Sequence, residues 1–188
     1  MLVLASASPR RRDILAGLGL VFEVRTTDEE PAPTPGEGPR AYAMRAARAK
    51  TAAVASTAAP PDWVLGADTV VAVGDVVLGK PVDDDDARRM LAALAGRVHQ
   101  VTTAFCLFQG GQEQVCQTVT TRVTFVALPP ERIARYVATG EGRDKAGAYA
   151  IQGQGMALVR TIDGSYSNVV GLPAAEVWEA LERVGAAP

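Results

Sequence analysis

The chain opens with an unbroken apolar run and changes at once to a helical pattern. Leu2-Val3-Leu4 reads as a short buried strand. Ser8 then suits an N-cap and Pro9 a first helical position, which predicts a helix ending near Gly17-Leu18-Gly19. Val21-Phe-Glu-Val-Arg is a second strand-like run, and the Pro/Gly-rich residues 31–39 are a loop. Residues 40 to about 58 are alanine-rich and helical, with Ala46, Ala49 and Ala53 on one face, until Pro60-Pro61 stops them. Trp63-Val-Leu-Gly-Ala-Asp68 reads as a buried strand ending on a carboxylate, followed by a hairpin turning at Gly74-Asp75. A helix from Ala87 ends at the Gly96 stop. From Val98 to Val126 two strands flank Gly110-Gly111, and in the second Val115, Val119, Val123 and Phe125 alternate with Thr118, Thr120, Arg122 and Thr124. A helix is expected from about Pro130 to Ala138. The runs from Met156 to Ile162 and Ser165 to Val170 read as another hairpin, and Pro173 to Val184 as a closing amphipathic helix. Helices alternating with hairpins, with no repeat and no boundary, predict one α/β domain over 1–188 with a mixed sheet.

Charge placement singles out the first helix. A helix N-terminus carries partial positive charge and unpaired N–H groups, so acidic residues belong there. This one carries Arg10, Arg11 and Arg12, each costing roughly 0.3–1 kcal/mol unless compensated. A bound polyanion would compensate, taking the free N–H groups and the guanidinium forks together. The aspartates at 83–86 obey the same rule, so they are assigned to a helix first turn and not to a metal.

Two further motifs are decoys. Gly74-Asp-Val-Val-Leu-Gly79-Lys80 begins like a P-loop, but Pro81 supplies no hydroxyl for Mg²⁺ and blocks an immediate helix. Lys80 itself stays available as a phosphate contact. Gly153-Gln-Gly155 lacks the third glycine of a dinucleotide fingerprint and leads into a strand. The single histidine, His99, is expected to be a satisfied polar residue at a strand start.

Composition narrows the partners. Nineteen basic and twenty-one acidic residues leave a net charge of −2, which argues against broad nucleic-acid or anionic-membrane binding and makes any cationic site local. The apolar opening is too short for a signal-peptide core, and no apolar run approaches the ~18 residues of a membrane span. A soluble, cytoplasmic protein is expected. Cys106 and Cys116 make neither a disulfide framework nor a zinc site; reduced thiols are the default, with pairing across a hairpin left open.

Several segments, spread over nearly the whole chain, resemble the Maf family of nucleoside triphosphate pyrophosphatases. They are Ala5-Ser-Ala-Ser-Pro-Arg-Arg, Gly66-Ala-Asp-Thr-Val-Val, Leu78-Gly-Lys-Pro, Gly96-Arg-Val-His-Gln-Val-Thr-Thr, Asp144-Lys-Ala-Gly-Ala-Tyr-Ala-Ile-Gln-Gly and Gly164-Ser-Tyr-Ser-Asn-Val-Val-Gly-Leu-Pro. The resemblance implies a curved mixed β-sheet flanked by helices, like that of inosine triphosphate pyrophosphatases. It also implies hydrolysis of a nucleoside triphosphate to monophosphate and pyrophosphate with a divalent metal, Mg²⁺ or Mn²⁺, and a homodimer as the family-level expectation. Carried over by position, Asp68 matches the catalytic proton acceptor, a role a carboxylate facing a cleft can fill. Arg10, Thr69 and Gln152 match the residues that separate substrate classes, in the combination of the dTTP/UTP type. Gln152 offers both a donor and an acceptor to a pyrimidine edge. Ser8, Arg11, Lys50 and Lys80 match phosphate-holding positions. An acidic position after the second strand, favoured here as Glu29 within Asp28-Glu29-Glu30, is expected to hold metal with Asp68. The competing readings are a nucleotide-binding division regulator without catalysis, an inosine-triphosphate-type enzyme and a nucleic-acid module. Asp68 beside the cations, Thr69 with Gln152, and the net charge disfavour them in turn.

Overall fold

The computed structural model describes residues 1–187. In chain order it contains β1 (Leu2–Ala5), α1 (Pro9–Gly17), β2 (Phe22–Val24), α2 (Pro39–Ala55), β3 (Trp63–Val73), β4 (Val76–Leu78) and α3 (Asp84–Leu94). It continues through β5 (Val98–Gln109), β6 (Gln112–Phe125), α4 (Pro130–Ala138), β7 (Val159–Asp163), α5 (Tyr166–Val170) and α6 (Ala174–Arg183). Short 3₁₀ turns occupy Ala146–Ala148 and Gly153–Leu158.

The strands form one seven-stranded sheet in the order β2-β1-β3-β5-β6-β7, with β4 also on β3. β1 runs parallel to β2 and β3, and the remaining pairs are antiparallel. One edge of β3 is interrupted. β1 pairs with it over Trp63 to Gly66 and β4 over Val71 to Val73, leaving 67–70 without a strand partner on that side. Its other edge pairs with β5 throughout, from Trp63 to Ala72. Asp68 therefore lies inside β3, not at its end as the apolar run suggested; Thr69-Val-Val-Ala-Val simply continues the strand.

Both sheet faces are covered. Val64 and Val70 pack with Ala43, Ala47 and Val54 of α2. Their strand neighbours Leu65 and Ala67 pack on the opposite side with Leu15 of α1 and Leu181 of α6. The period-two alternation thus sends Asp68 toward α2 and Thr69 toward α1. On α2 the buried positions are Ala43, Ala46, Ala47, Thr51, Val54 and Ala55, so the helix is rotated from the predicted Ala46/Ala49/Ala53 face. An alanine-rich helix has a weak apolar stripe, and packing against the sheet decides its rotation.

Three other expectations change. Ser165 to Val170 is not a strand: Ser165 caps α5, its Oγ accepting from the Asn168 N–H at 3.2 Å, and of the two runs expected to form this hairpin only the first contributes a strand, β7, which pairs with β6. Met156 falls in the 3₁₀ turn before β7. Cys106 and Cys116 stand directly opposite in the β5–β6 ladder and are joined as a disulfide instead of reduced, because that register brings the two side chains together. The aspartates serve α3 as expected, with Asp83 Oδ1 accepting from the Asp86 N–H at 2.8 Å. No helix among the described residues is long and apolar enough to cross a membrane.

The approach of α2 depends on Gly66. A Cβ there would lie 2.2 Å from Thr51 Oγ1 and 3.1 Å from the Thr51 Cα, so the helix itself would have to move. Gly66→Ala is expected to destabilise the fold by about 1–3 kcal/mol, read as a lower urea midpoint with an unchanged slope.

Candidate active site

A cleft of about 610 Å³ opens over the interrupted edge of β3. Asp68, only 8% exposed, needs a partner at that depth, because a buried carboxylate must be paired. Lys50 of α2 supplies it, its Nζ donating to Asp68 Oδ1 at 2.6 Å. The same ammonium lies 3.1 Å from Glu30 Oε2. Two carboxylates from distant parts of the chain therefore converge on one cation. Among the described residues Asp68 Oδ2 has no hydrogen-bond donor from the protein, and Asp68 lines the cleft.

On the opposite side of the strand edge, Arg11 is held by three elements. Its Nε donates to the Gly171 carbonyl at 2.8 Å, Nη1 to Ser6 Oγ at 3.0 Å and Nη2 to Thr69 Oγ1 at 3.2 Å. Burial lowers the Arg11 pKa, while the charge of Asp68 works in the other direction. Three of its five N–H groups are thus spent on protein, leaving one on each Nη. The helix that breaks the charge rule has turned one misplaced cation inward to fold acceptors. Arg10 lines the cleft, whereas Arg12 is exposed outside it.

The Thr69 hydroxyl is committed as well. Thr103 Oγ1 donates to the Asn168 carbonyl at 3.1 Å, so in its 2.9 Å contact with Thr69 the Thr103 oxygen accepts. Thr69 spends its proton there or on the Gly171 carbonyl 3.4 Å away, and accepts from Arg11. A ligand meets at most its remaining lone pair. Asn168 is fully buried and its Nδ2 donates to Val101 O and Thr121 Oγ1, anchoring α5 and hence the Gly171 carbonyl.

Ser8, Lys80 and Gln152 also line the cleft, so the structure gathers the predicted positions Ser8, Arg10, Arg11, Lys50, Asp68, Thr69, Lys80 and Gln152 around one space. Glu29 is not among the lining residues. Its neighbour Glu30 lines the cleft, in the irregular segment between β2 and α2, where no periodicity indicates which side chain reaches the cleft. Ser6, Lys145 and the Gly171 carbonyl were missed. Ser6 and Lys145 sit inside quoted motifs, but the acceptor role of a backbone carbonyl 160 positions from Arg11 leaves no sequence signal. Five cations, Arg10, Arg11, Lys50, Lys80 and Lys145, face three carboxylates, Glu30, Asp68 and Asp144. That excess suits a polyanionic ligand.

The family model for Maf-like proteins matches residues 1–184. The chain belongs to the Maf family. Among its relatives, a dTTP/UTP pyrophosphatase of Anaeromyxobacter dehalogenans is 52% identical over 187 residues, covering 98% of this chain and 94% of that protein. A protein of the same name from Geobacter sulfurreducens is 48% identical, covering 98% and 97% of the two chains. In structure, a HAM1 protein from Coxiella burnetii aligns over 98% of each chain with a TM-score of 0.51 and 14% identity. That likeness concerns the fold, and it bears out the expected inosine triphosphate pyrophosphatase-like architecture of an open mixed sheet between helices.

Behind the cleft wall of this Maf chain lies His99, 1% exposed. Its Nε2 bonds the Tyr149 hydroxyl at 2.8 Å, Nδ1 has no partner, and the ring packs edge-on against Phe125 and Tyr149. Tyr149 lines the cleft three positions before Gln152. Burial pushes the imidazole down to about 4 from an ordinary 6.5. The unfolded chain therefore binds a proton more readily than the folded one. The contribution of neutral His99 is complete above about pH 6.5 and is lost as pH falls toward about 4, for a total of about 3 kcal/mol. Denaturant titrations between pH 7 and 4 are expected to show a shallower decline for His99→Gln than for the wild type.

Proposed function

We propose that this Maf-family chain hydrolyses nucleoside triphosphates, dTTP and UTP foremost, to nucleoside monophosphate and pyrophosphate. The observation that carries this reading is the shielded Asp68–Lys50 pair, joined from the exposed side by Glu30, facing a cation-lined cleft. Relatives about half identical over their full length and named dTTP/UTP pyrophosphatases support the substrate class. Pure nucleotide binding needs no carboxylate with a free oxygen at its centre.

In the proposed reaction Asp68 Oδ2 orients a water molecule and accepts its proton. The water oxygen attacks the α-phosphorus, the bond from that phosphorus to the α–β bridging oxygen breaks, and its electron pair leaves with pyrophosphate. Lys50 holds Asp68 in place through Oδ1, leaving Oδ2 for the water. The free N–H groups at the start of α1, with Ser8, Lys80 and the two unspent N–H groups of Arg11, bind the phosphate oxygens. Arg10 and Gln152 select the base, with Gln152 offering a donor and an acceptor to a uracil or thymine edge. Thr69, its proton already used, contributes to selection by fixing Arg11 and the shape of the cleft.

Asp68 and Glu30 flank Lys50 in the cleft, and their carboxylate oxygens are of the donor type that would hold Mg²⁺ or Mn²⁺ beside it. A divalent ion bound by these carboxylates would supply charge neutralisation of the triphosphate and of the departing pyrophosphate. The cytoplasm as location, a homodimer, and the absence of a nucleic-acid partner belong to the same proposal, the last supported by the net charge of −2.

Purified protein incubated with a panel of ribo- and deoxyribonucleoside triphosphates and Mg²⁺ or Mn²⁺ is expected to release pyrophosphate and monophosphate from dTTP and UTP. Release of inorganic phosphate would show cleavage of a different bond, and no turnover of any nucleotide would favour a non-catalytic regulator. Asp68→Asn is expected to lower kcat roughly 100- to 10,000-fold while substrate still binds; near-normal turnover would remove Asp68 as the base.

A further inference from the structure

The segment that carries Gln152 is wound around a single carboxylate outside the cleft. Glu141 follows α4 between Gly140 and Gly142 and is not among the residues lining the cleft. Its Oε2 accepts from the Gln154 N–H at 2.9 Å, and its Oε1 from the Gly155 N–H at 2.9 Å and the Tyr136 hydroxyl at 3.2 Å. Those two amides open the 3₁₀ turn Gly153–Leu158, whose N-cap is Gln152. The carboxylate thus meets the unpaired N–H groups of a helical terminus, and the charge suits the end it caps.

The turn is shaped around this contact. Gly153 has φ +65°, and a Cβ there would lie 2.7 Å from Glu141 Oε2. A Cβ on Gly155 would lie 1.8 Å from the Ala150 carbonyl, and one on Gly142 2.0 Å from the Ala148 carbonyl. Three glycines therefore let the strands of this loop close on the carboxylate, and side chains at any of them would open it. Tyr136 ties the other side: its hydroxyl accepts from the Ala150 N–H at 3.0 Å while donating to Glu141. Burial pushes the Tyr136 pKa up to about 12, so that donor persists at any ordinary pH.

We propose that Glu141 is a positioning residue for nucleobase selection, fixing the backbone from Gln152 to Gly155 so that the Gln152 amide meets the base in one orientation. The proposal rests on the reading that Gln152 contacts the base. Discrimination by a hydrogen-bonding side chain is lost when that side chain can re-aim, even if its chemistry is intact. Glu141 acts from behind, touching only protein.

The test uses Glu141→Gln, which preserves volume and one acceptor oxygen but presents an amide NH₂ to a backbone N–H. Measurements are kcat and KM for UTP and CTP, with the thermal midpoint beside them, in wild type, Glu141→Gln, Gln152→Ala and the double variant. The ratio of kcat/KM for UTP to that for CTP is expected to fall roughly tenfold in Glu141→Gln, mainly through a higher KM for UTP. The double variant is expected to show no further fall beyond Gln152→Ala. A lower thermal midpoint with an unchanged ratio would make Glu141 merely structural and overturn the proposal. Additive losses in the double variant would overturn the route through Gln152. A Gln152→Ala ratio equal to that of the wild type would instead overturn the underlying reading of Gln152, whatever Glu141→Gln does.

Discussion

The gap along one edge of β3 is the constraint on which the site depends. β1 leaves the sheet after Ala5 because α1 starts at Pro9, and β4 cannot pair until the chain has turned at Gly74-Asp75. Between them a short length of strand keeps its backbone geometry without a neighbour on that side. Alternation then sends Asp68 and Thr69 to opposite faces of the sheet while both remain open to the same space. A cleft at this edge can draw on helices from both layers, and this one does so. Lys50 arrives from α2, and Arg11 and the Gly171 carbonyl come from α1 and the end of α5.

The electrostatics follow from that placement. Asp68 is deep enough to require a cation, and Lys50 meets that need while drawing in Glu30. Arg11 resolves an opposite problem. At a helix N-terminus a guanidinium is unfavourable, so its position is sustained by acceptors from three separate segments. The reversed charge pattern of α1 is thus met partly by the fold, and in the proposed function the anionic substrate meets the rest. Gly66 serves the Asp68 side of the site, since without a Cβ there the Thr51 turn of α2, next to Lys50, can approach β3 closely.

Much of this was legible in the chain. The runs around Leu2, Trp63, Val98 and Val115 carry strong strand periods, and the Pro9, Asp83 and Pro130 helix starts carry local chemical signals. The failures share a cause. Ser165 to Val170 has the composition of a strand, but Asn168 is buried by hydrogen bonds to Val101 and Thr121, and those remote partners select a helix. The rotation of α2 was misjudged because alanine marks no face sharply. Glu30 and not Glu29 lines the cleft, and an aperiodic segment gives no indication of which carboxylate reaches it.

The sequence by itself determined the order of elements, the motifs that place the chain in its family, and the residue types needed to bind and hydrolyse a polyanion. Those properties are local: a cap, a period or a short motif is complete within a few residues. Tertiary structure decided which of those residues meet. It paired Lys50 with both Asp68 and Glu30, spent three N–H groups of Arg11 on protein, and wrapped the Gln152 turn around Glu141. Each of those contacts joins segments whose separation is set by sheet register and helix packing, and no pattern within either segment encodes the distance between them.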